Sequence, residues 1–215
     1  MTLTRLFMAT ALFTTLLVGQ ALPQSPSTQH AGHPKPVHSK TSADVTSVRN
    51  TSYGVGSERV LRHEGIVDAT VEQIWTTCTT AEGIRTYLAP VVAFELKTGG
   101  KYDTNYRPGS KIGDKGTIHN MVLAYLPEKM LAFKVGLTDR FPVGPREAGT
   151  LFAVLEFTKE APNKVKVTIS MAGWGSGPEW DEVYTFFDRG NAYTLASLQN
   201  RFVNGPTNWD ALKRN

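Results

Sequence analysis

Two histidines and a tyrosine are the side chains between residues 58 and 205 that could carry acid–base chemistry near neutral pH. His63 and His119 are the only histidines there, and imidazole is the side chain whose ordinary pKa lies closest to neutrality. Each falls in a predicted strand, on a face shared with aliphatic side chains, so either could point inward. Tyr184 is the third catalytic candidate. A strand histidine on such a face is more often a hydrogen-bonded structural residue, and both interpretations stay open.

Familiar catalytic signatures are missing from the sequence. It contains no Gly-x-Ser-x-Gly, no His-Glu-x-x-His, no phosphate-binding loop and no pair of cysteines. We therefore expect neither a cofactor nor a metal site. Cys78 is the only cysteine, which excludes an intrachain disulfide, and we predict that it is a small, inert core residue.

A set of polar and aromatic side chains is predicted to contact a ligand: Asp103, Tyr106, His119, Phe133, Tyr184, Phe187 and Asn191. Asn191 lies on a helical stripe that should face a sheet, and a buried amide must be hydrogen-bonded or face a wet cavity. It could therefore be bonded to backbone or water, or contact a ligand. The loop that carries Arg140 and Arg146 could form a positive rim for an acidic ligand, or be an ordinary solvated loop.

These residues must be positioned by one long helix, predicted over Ser176–Asn204. Ser176 and Glu179 have the spacing of a capping box at its start, and Gly205-Pro206 is a stop signal. Three- and four-residue steps predict that one face is apolar. That face carries Val183, Phe187, Asn191, Leu195, Leu198 and Phe202, widened by Trp180, Tyr184 and Tyr193.

The rest of the domain supplies a surface for that helix. A strand over Glu58–Asp68 precedes two short helices, Val71–Thr77 and Ala81–Leu88, and about six antiparallel strands follow between Val91 and Met171. This order predicts an α+β fold in which a curved antiparallel β-sheet wraps around a long C-terminal α-helix, with two short helices between the first and second strands. A cavity between sheet and helix is the natural consequence, and such cavities hold small apolar molecules.

The order and spacing of short motifs across residues 58–205 resemble the SRPBCC or START-like superfamily, the helix-grip fold that includes Bet v allergens and polyketide cyclases. The most similar branch is the AHSA type, named for the activator of the ninety-kilodalton heat-shock protein's ATPase. The matching pieces are Val67-Asp68-Ala69 before Ile74-Trp75, Ala81-Glu82-Gly83, Tyr87-Leu88-Ala89-Pro90, Gly99-Gly100, Gly116, Leu126-Pro127-Glu128, Leu131-Ala132-Phe133, and Gly190 followed by Leu195 and Leu198. The resemblance implies this fold and a pocket. Two positions depart from it, because the family often has Trp where Tyr87 and Asn191 stand.

Charge and composition divide the chain into four parts. Residues 1–21 resemble a secretory signal peptide, with Arg5 followed by a short apolar run, and residues 22–57 are predicted to be a disordered linker. The three linker histidines, His30, His33 and His38, match no fixed metal-ligand spacing. The domain spans residues 58–205, and residues 206–215 form a tail. Residues 1–57 supply three of the four net positive charges, so the domain has no basic surface of the kind that binds nucleic acid.

Three functions are compatible with this sequence. The first is a periplasmic or secreted carrier or sensor that holds a small hydrophobic molecule, with no membrane span after signal removal. The second is a cyclase- or dehydratase-type enzyme, which requires the candidate catalytic side chains to meet in the cavity. The third is a protein-interaction domain that uses the convex face of the sheet. An exported protein would not meet the cytosolic chaperone of the family's name.

Overall fold

The computed structural model describes residues 48–144 and 147–211. Its helices and strands are β1 (Arg49–Asn50), β2 (Leu61–Val67), α1 (Val71–Thr79), α2 (Ala81–Arg85), β3 (Val91–Phe94), β4 (Lys101–Asn105), β5 (Ile118–Leu126), β6 (Met130–Lys134), β7 (Phe152–Ala161), β8 (Lys164–Ala172) and α3 (Pro178–Asn204). The predicted signal peptide, most of the predicted linker with its histidines, and Arg146 lie outside the described residues. Within those two ranges no helix combines the length and apolarity that crossing a membrane requires.

The described strands form one antiparallel sheet in the order β1-β2-β8-β7-β6-β5-β4-β3. β2 pairs with β8, which places Leu61 opposite Met171, and the sheet curves around α3. The predicted α+β helix-grip architecture is confirmed, with α1 and α2 lying between β2 and β3. Cys78 is buried in α1, and burial raises the pKa of its thiol to about 12, as expected for an inert core residue.

Ordered structure begins earlier than the sequence predicts. The linker was expected to run to residue 57, but β1 pairs Arg49 with Glu64 and Asn50 with His63. Arg49 donates to the Glu64 carboxylate at 2.7 Å, and Asn50 donates to Asp188 of α3, also at 2.7 Å. These partners lie far away in sequence, so a polar segment that has no strand signal of its own becomes the edge strand of the sheet.

The start of α3 also differs from the prediction. Ser176 does not cap the helix, because the N-cap is Gly177, with a φ of 104° and no side-chain hydrogen bond, followed by Pro178. A left-handed φ is readily adopted only by glycine, and proline suits the first helical turn. The capping box of this protein lies instead on α1, where Thr70 and Gln73 bond reciprocally at 3.2 and 3.0 Å.

Two apolar clusters hold α3 against the inner face of the sheet. Trp180 and Val183 pack in a cluster with Met171, while Leu195 and Leu198 pack in a larger one with β-strand residues. Between Val183 and Leu195 the only buried residue of α3 is Asn191. The helix is therefore packed tightly at both ends and carries no buried apolar side chain at its middle.

The C-terminal tail packs back onto α2. The Thr207 amide donates to the Thr86 carbonyl at 2.8 Å, and the Trp209 indole donates to the Arg85 carbonyl at 2.6 Å. Of the predicted tail, residues 206–211 are therefore attached to the domain through two hydrogen bonds.

Candidate functional site

A cavity of about 530 Å³ lies between the inner face of the sheet and the middle of α3. Its walls are mainly apolar and aromatic, and its deep wall includes Phe133, Leu155, Ile169 and Met171. Pockets for small organic ligands usually measure roughly 300–1,000 Å³ and combine such walls with a few polar groups. The size and lining of this cavity therefore suit a small organic molecule.

The cavity exists because α3 presents so little side-chain volume at this point. Gly190 and Asn191 both line it, and a Cβ added at Gly190 would meet nothing within 4 Å. Asn191 is 7 % exposed, and its amide nitrogen is buried without a hydrogen-bond partner in the described structure. Larger apolar side chains at these two positions would fill part of the cavity that the present pair leaves open.

The polar groups of the wall include three tyrosines and a threonine: Tyr87, Tyr102, Tyr106 and Thr104. Burial raises the pKa of Tyr87 and of Tyr102 well above the usual value. Desolvation also raises the pKa of Tyr106 to about 12, although half of that residue's surface is exposed, and Thr104 hydrogen-bonds its hydroxyl. All three phenols are therefore neutral at physiological pH.

The mouth of the cavity is cationic and aromatic. Arg107, Lys115 and Arg140 line it and are exposed, as are Tyr193 and Phe186, at 63 % and 42 %. Tyr193 was predicted to widen the apolar face of α3 that lies on the sheet, but the structure places it, with Phe186, at this opening.

Four of the seven predicted ligand contacts line the cavity: Tyr106, Phe133, Phe187 and Asn191. Phe133 projects from β6, Phe187 and Asn191 project from one face of α3, and Tyr106 is the residue that follows β4. Two periodicities, alternation along a strand and three- and four-residue steps along a helix, thus bring these side chains together as expected.

Asp103 and His119 lie on the other face of the sheet, so their assignment to the cavity is wrong. They are paired across β4 and β5, and His119 Nδ1 lies 3.1 Å from Asp103 Oδ1, with the histidine side chain 65 % exposed. Tyr102 and Asn120, their neighbours in sequence, line the cavity instead. Side chains do alternate along β4 and β5, but the face that lines the cavity carries Tyr102 and Asn120 and not the predicted Asp103 and His119.

His63 and Tyr184 face inward but are occupied by structural contacts outside the cavity lining. Buried His63 places Nε2 3.1 Å from Asp188 Oδ1, and burial lowers its pKa while Asp188 opposes that shift. The ring of Tyr184 packs on Trp174 and lies 4.4 Å from the guanidinium of Arg59. The three catalytic candidates therefore do not meet, and the enzyme hypothesis loses the arrangement it requires.

The polar cavity residues of β4, β5 and the loop between them were not predicted from the sequence. Asn120 accepts a hydrogen bond from the Gly136 amide at 2.9 Å, so it is held at the wall. The alternation of Tyr102 and Thr104 could have identified the inner face of β4. Arg107 and Lys115 follow no strand pattern, and only the path of the β4–β5 loop brings them to the mouth. The described residues contain no cluster of three or more potential metal ligands.

A curved antiparallel sheet that holds a long C-terminal helix over a cavity defines a helix-grip domain. The chain belongs to the family described as activator of Hsp90 ATPase homolog 1-like protein, whose family model matches residues 68–202. No curated protein matches the chain.

Solved structures share this fold at low sequence identity. The Aha1 dimer from Colwellia psychrerythraea has a TM-score of 0.55 and 14 % identity, with 68 % of this chain and 97 % of that chain covered. Protein MLL2253 from Mesorhizobium loti has a TM-score of 0.53 and 17 % identity, covering 66 % and 95 %. CalU16 from Micromonospora echinospora has a TM-score of 0.52 and 15 % identity, covering 78 % and 89 %. At such identities the likeness extends to the fold alone.

Proposed function

We propose that this protein is a carrier or sensor that binds a small, mainly apolar molecule between the sheet and α3. The observation that carries the proposal is the hydrogen-bonding environment of the Asn191 amide. Asn191 lies at the cavity wall with an amide nitrogen that has no partner among the residues the structure describes, although buried amides are normally hydrogen-bonded. A ligand oxygen at this wall would supply the acceptor once the amide turns toward it.

The surrounding side chains support binding rather than catalysis. Apolar and aromatic groups dominate the lining, so a ligand would gain mainly from burial of its own apolar surface. The tyrosine hydroxyls and amides can orient such a ligand. Neither histidine of the described residues lines the cavity, which leaves it without the usual proton-transfer group of an enzyme working near neutral pH.

We further propose that the protein acts outside the cytoplasm, in the periplasm or the medium. This rests on the apolar leader and small residues within 1–21, and on a single, buried cysteine that needs no partner. Expression of the full chain in a bacterial host, with intact-mass measurement of the protein in the periplasm and medium, tests it. Protein that keeps its leader and stays in the cytoplasm would contradict it.

Native mass spectrometry of the purified full chain tests ligand binding. We expect a bound small molecule that dissociates on denaturation and is lost in Thr194→Trp, because Thr194 lines the cavity and an indole there occupies ligand volume. Asn200→Trp, at an exposed position of the same helix outside the cavity lining, is the matched control and should keep the molecule. A protein that carries nothing and binds no apolar fluorescent probe would overturn the proposal.

A further inference from the structure

We propose that the ligand is an amphiphilic organic anion, with its acid group held at the cavity mouth by Arg107, Lys115 and Arg140 and its apolar body directed inward. This inference rests on the proposed function and adds the chemical class and the orientation of the ligand. It is carried by the sign of the charges that line the cavity, by the way Arg140 is held, and by the neutral interior.

All charged side chains in the described part of the cavity lining carry the same sign. The described lining contains Arg107, Lys115 and Arg140 and no aspartate or glutamate. Two acids that neighbour the cations in sequence, Asp114 and Asp139, are not part of it; Asp114 is engaged by the Lys111 amide at 2.8 Å. A cleft lined by one sign of charge concentrates ligands of the opposite sign. The excess of positive charge is confined to the cavity mouth, because residues 58–215 together carry only one net positive charge.

Arg140 is held in place by aromatic rings and not by a carboxylate. Its guanidinium carbon lies 4.7 Å from the ring centroid of Phe141 and 4.1 Å from that of Phe186. No carboxylate that the structure describes lies within ion-pair distance of it. A guanidinium stacked on rings keeps its N–H groups available in its own plane, where they match the two oxygens of an acid group.

The interior supplies donors without negative charge. The phenols of Tyr87, Tyr102 and Tyr106 stay protonated, since their pKa values are raised. The Tyr87 hydroxyl already donates to Cys78 Sγ at 3.6 Å, whereas Asn191 contributes an N–H that has no partner among the described residues. A cationic ligand would find no counter-charge among these residues, whereas a ligand with an acid group and further oxygen acceptors would satisfy both the mouth and the wall. The apolar deep wall excludes a small inorganic anion as the preferred ligand, because its affinity would come from the mouth alone.

Two fluorescent probes with the same aromatic skeleton test the inference. 8-Anilinonaphthalene-1-sulfonate carries an acid group, and N-phenyl-1-naphthylamine is its neutral counterpart. Both are titrated into the full chain and into Arg140→Gln/Lys115→Gln. Lys129→Gln/Lys164→Gln is the matched control, since it removes two exposed positive charges outside the cavity lining, one from a turn and one from the first residue of β8. Melting temperatures of all three proteins verify that they are folded.

We expect the mouth variant to lose about 25-fold in affinity for the sulfonate, because it removes two unit charges and each, about 4 Å from the sulfonate in water, contributes roughly a factor of five. Its affinity for the neutral probe, and the control's affinity for both probes, should stay within about twofold. High salt should weaken sulfonate binding alone. Equal binding of both probes to every variant would overturn the inference and leave the proposed function intact. Failure of both probes to bind the wild type would overturn the proposed function.

Discussion

Replacing Asn191 by leucine should make the protein more stable and weaken its binding of the ligand. The amide nitrogen of Asn191 is buried and has no hydrogen-bond partner in the described part of the chain, and an unpaired buried polar group costs about 1–3 kcal/mol. Leucine has nearly the same size, removes that cost and is favoured in a helix by a few tenths of a kcal/mol. We expect the free energy of unfolding to rise by about 2 kcal/mol, which corresponds to an increase in Tm of about 4–8 °C.

Denaturant unfolding of the full chain, followed by tryptophan fluorescence, measures this change. Asn105→Leu is the matched control because Asn105 is equally buried, at 2 % exposed, but has its hydrogen bonds formed. Its side chain donates to Thr117 at 3.2 Å and accepts from the Arg107 amide at 3.0 Å. Leucine there should lower stability by about 1–3 kcal/mol. The same substitution is thus expected to have opposite signs at two sites.

Destabilisation by Asn191→Leu would refute the reasoning. It would show that the amide makes a hydrogen bond in the folded protein, and the strongest support for a ligand at this wall would then be lost. A stabilised variant that also loses the molecule seen by native mass spectrometry would instead show that the asparagine is kept for binding at the expense of stability.

Three further outcomes are expected. Burial lowers the pKa of His63 against the opposing effect of Asp188, so below about pH 6.5 the unfolded chain binds a proton that the native state does not. The wild type should therefore lose more stability than His63→Leu between about pH 7 and 5.5, as measured by denaturant midpoints; equal losses would contradict this. Cys78, whose pKa is raised to about 12, should react with a thiol reagent about 100-fold more slowly in the native state than in denaturant, and rapid native labelling would contradict its burial. Trp209→Ala should lower stability by about 1–2 kcal/mol in calorimetry, because it removes the 2.6 Å bond to the Arg85 carbonyl; an unchanged Tm would show that this contact contributes nothing.

Local periodicity predicted the fold and the helical side of the site. In β8 the sequence alternates aliphatic with polar residues, and the aliphatic residues Val165, Val167 and Ile169 are all buried. Along α3 the three- and four-residue steps placed Phe187 and Asn191 on one face, as observed. Both patterns depend only on backbone geometry, so they can be recognised in the sequence without knowing which residues pack against the strand or the helix.

The incorrect predictions concern residues whose position depends on contacts with distant parts of the chain. Alternation separates His119 from Asn120 but does not say which face is inside, and a register shift between Val122 and Ala124 interrupts the pattern of β5. His63 does face inward, but an α3 carboxylate occupies the space beside it. Residues 49 and 50 carry no strand signal, and only their pairing with β2 orders them. Long-range contacts of this kind override local pattern.

The pairing of β2 with β8 has a consequence for how the protein acquires its structure. The main-chain partner of Leu61 is Met171, which lies more than a hundred residues later in the chain, so β2 cannot pair with β8 until that later segment has been synthesised. Closing so long a loop is entropically unfavourable and slows folding. A nascent chain that has released β2 through β7 can form the hairpins of β3 to β7 but leaves one side of β2 unpaired. Completion of the domain is thus postponed until the last strand and helix are synthesised, and the sheet becomes continuous only then.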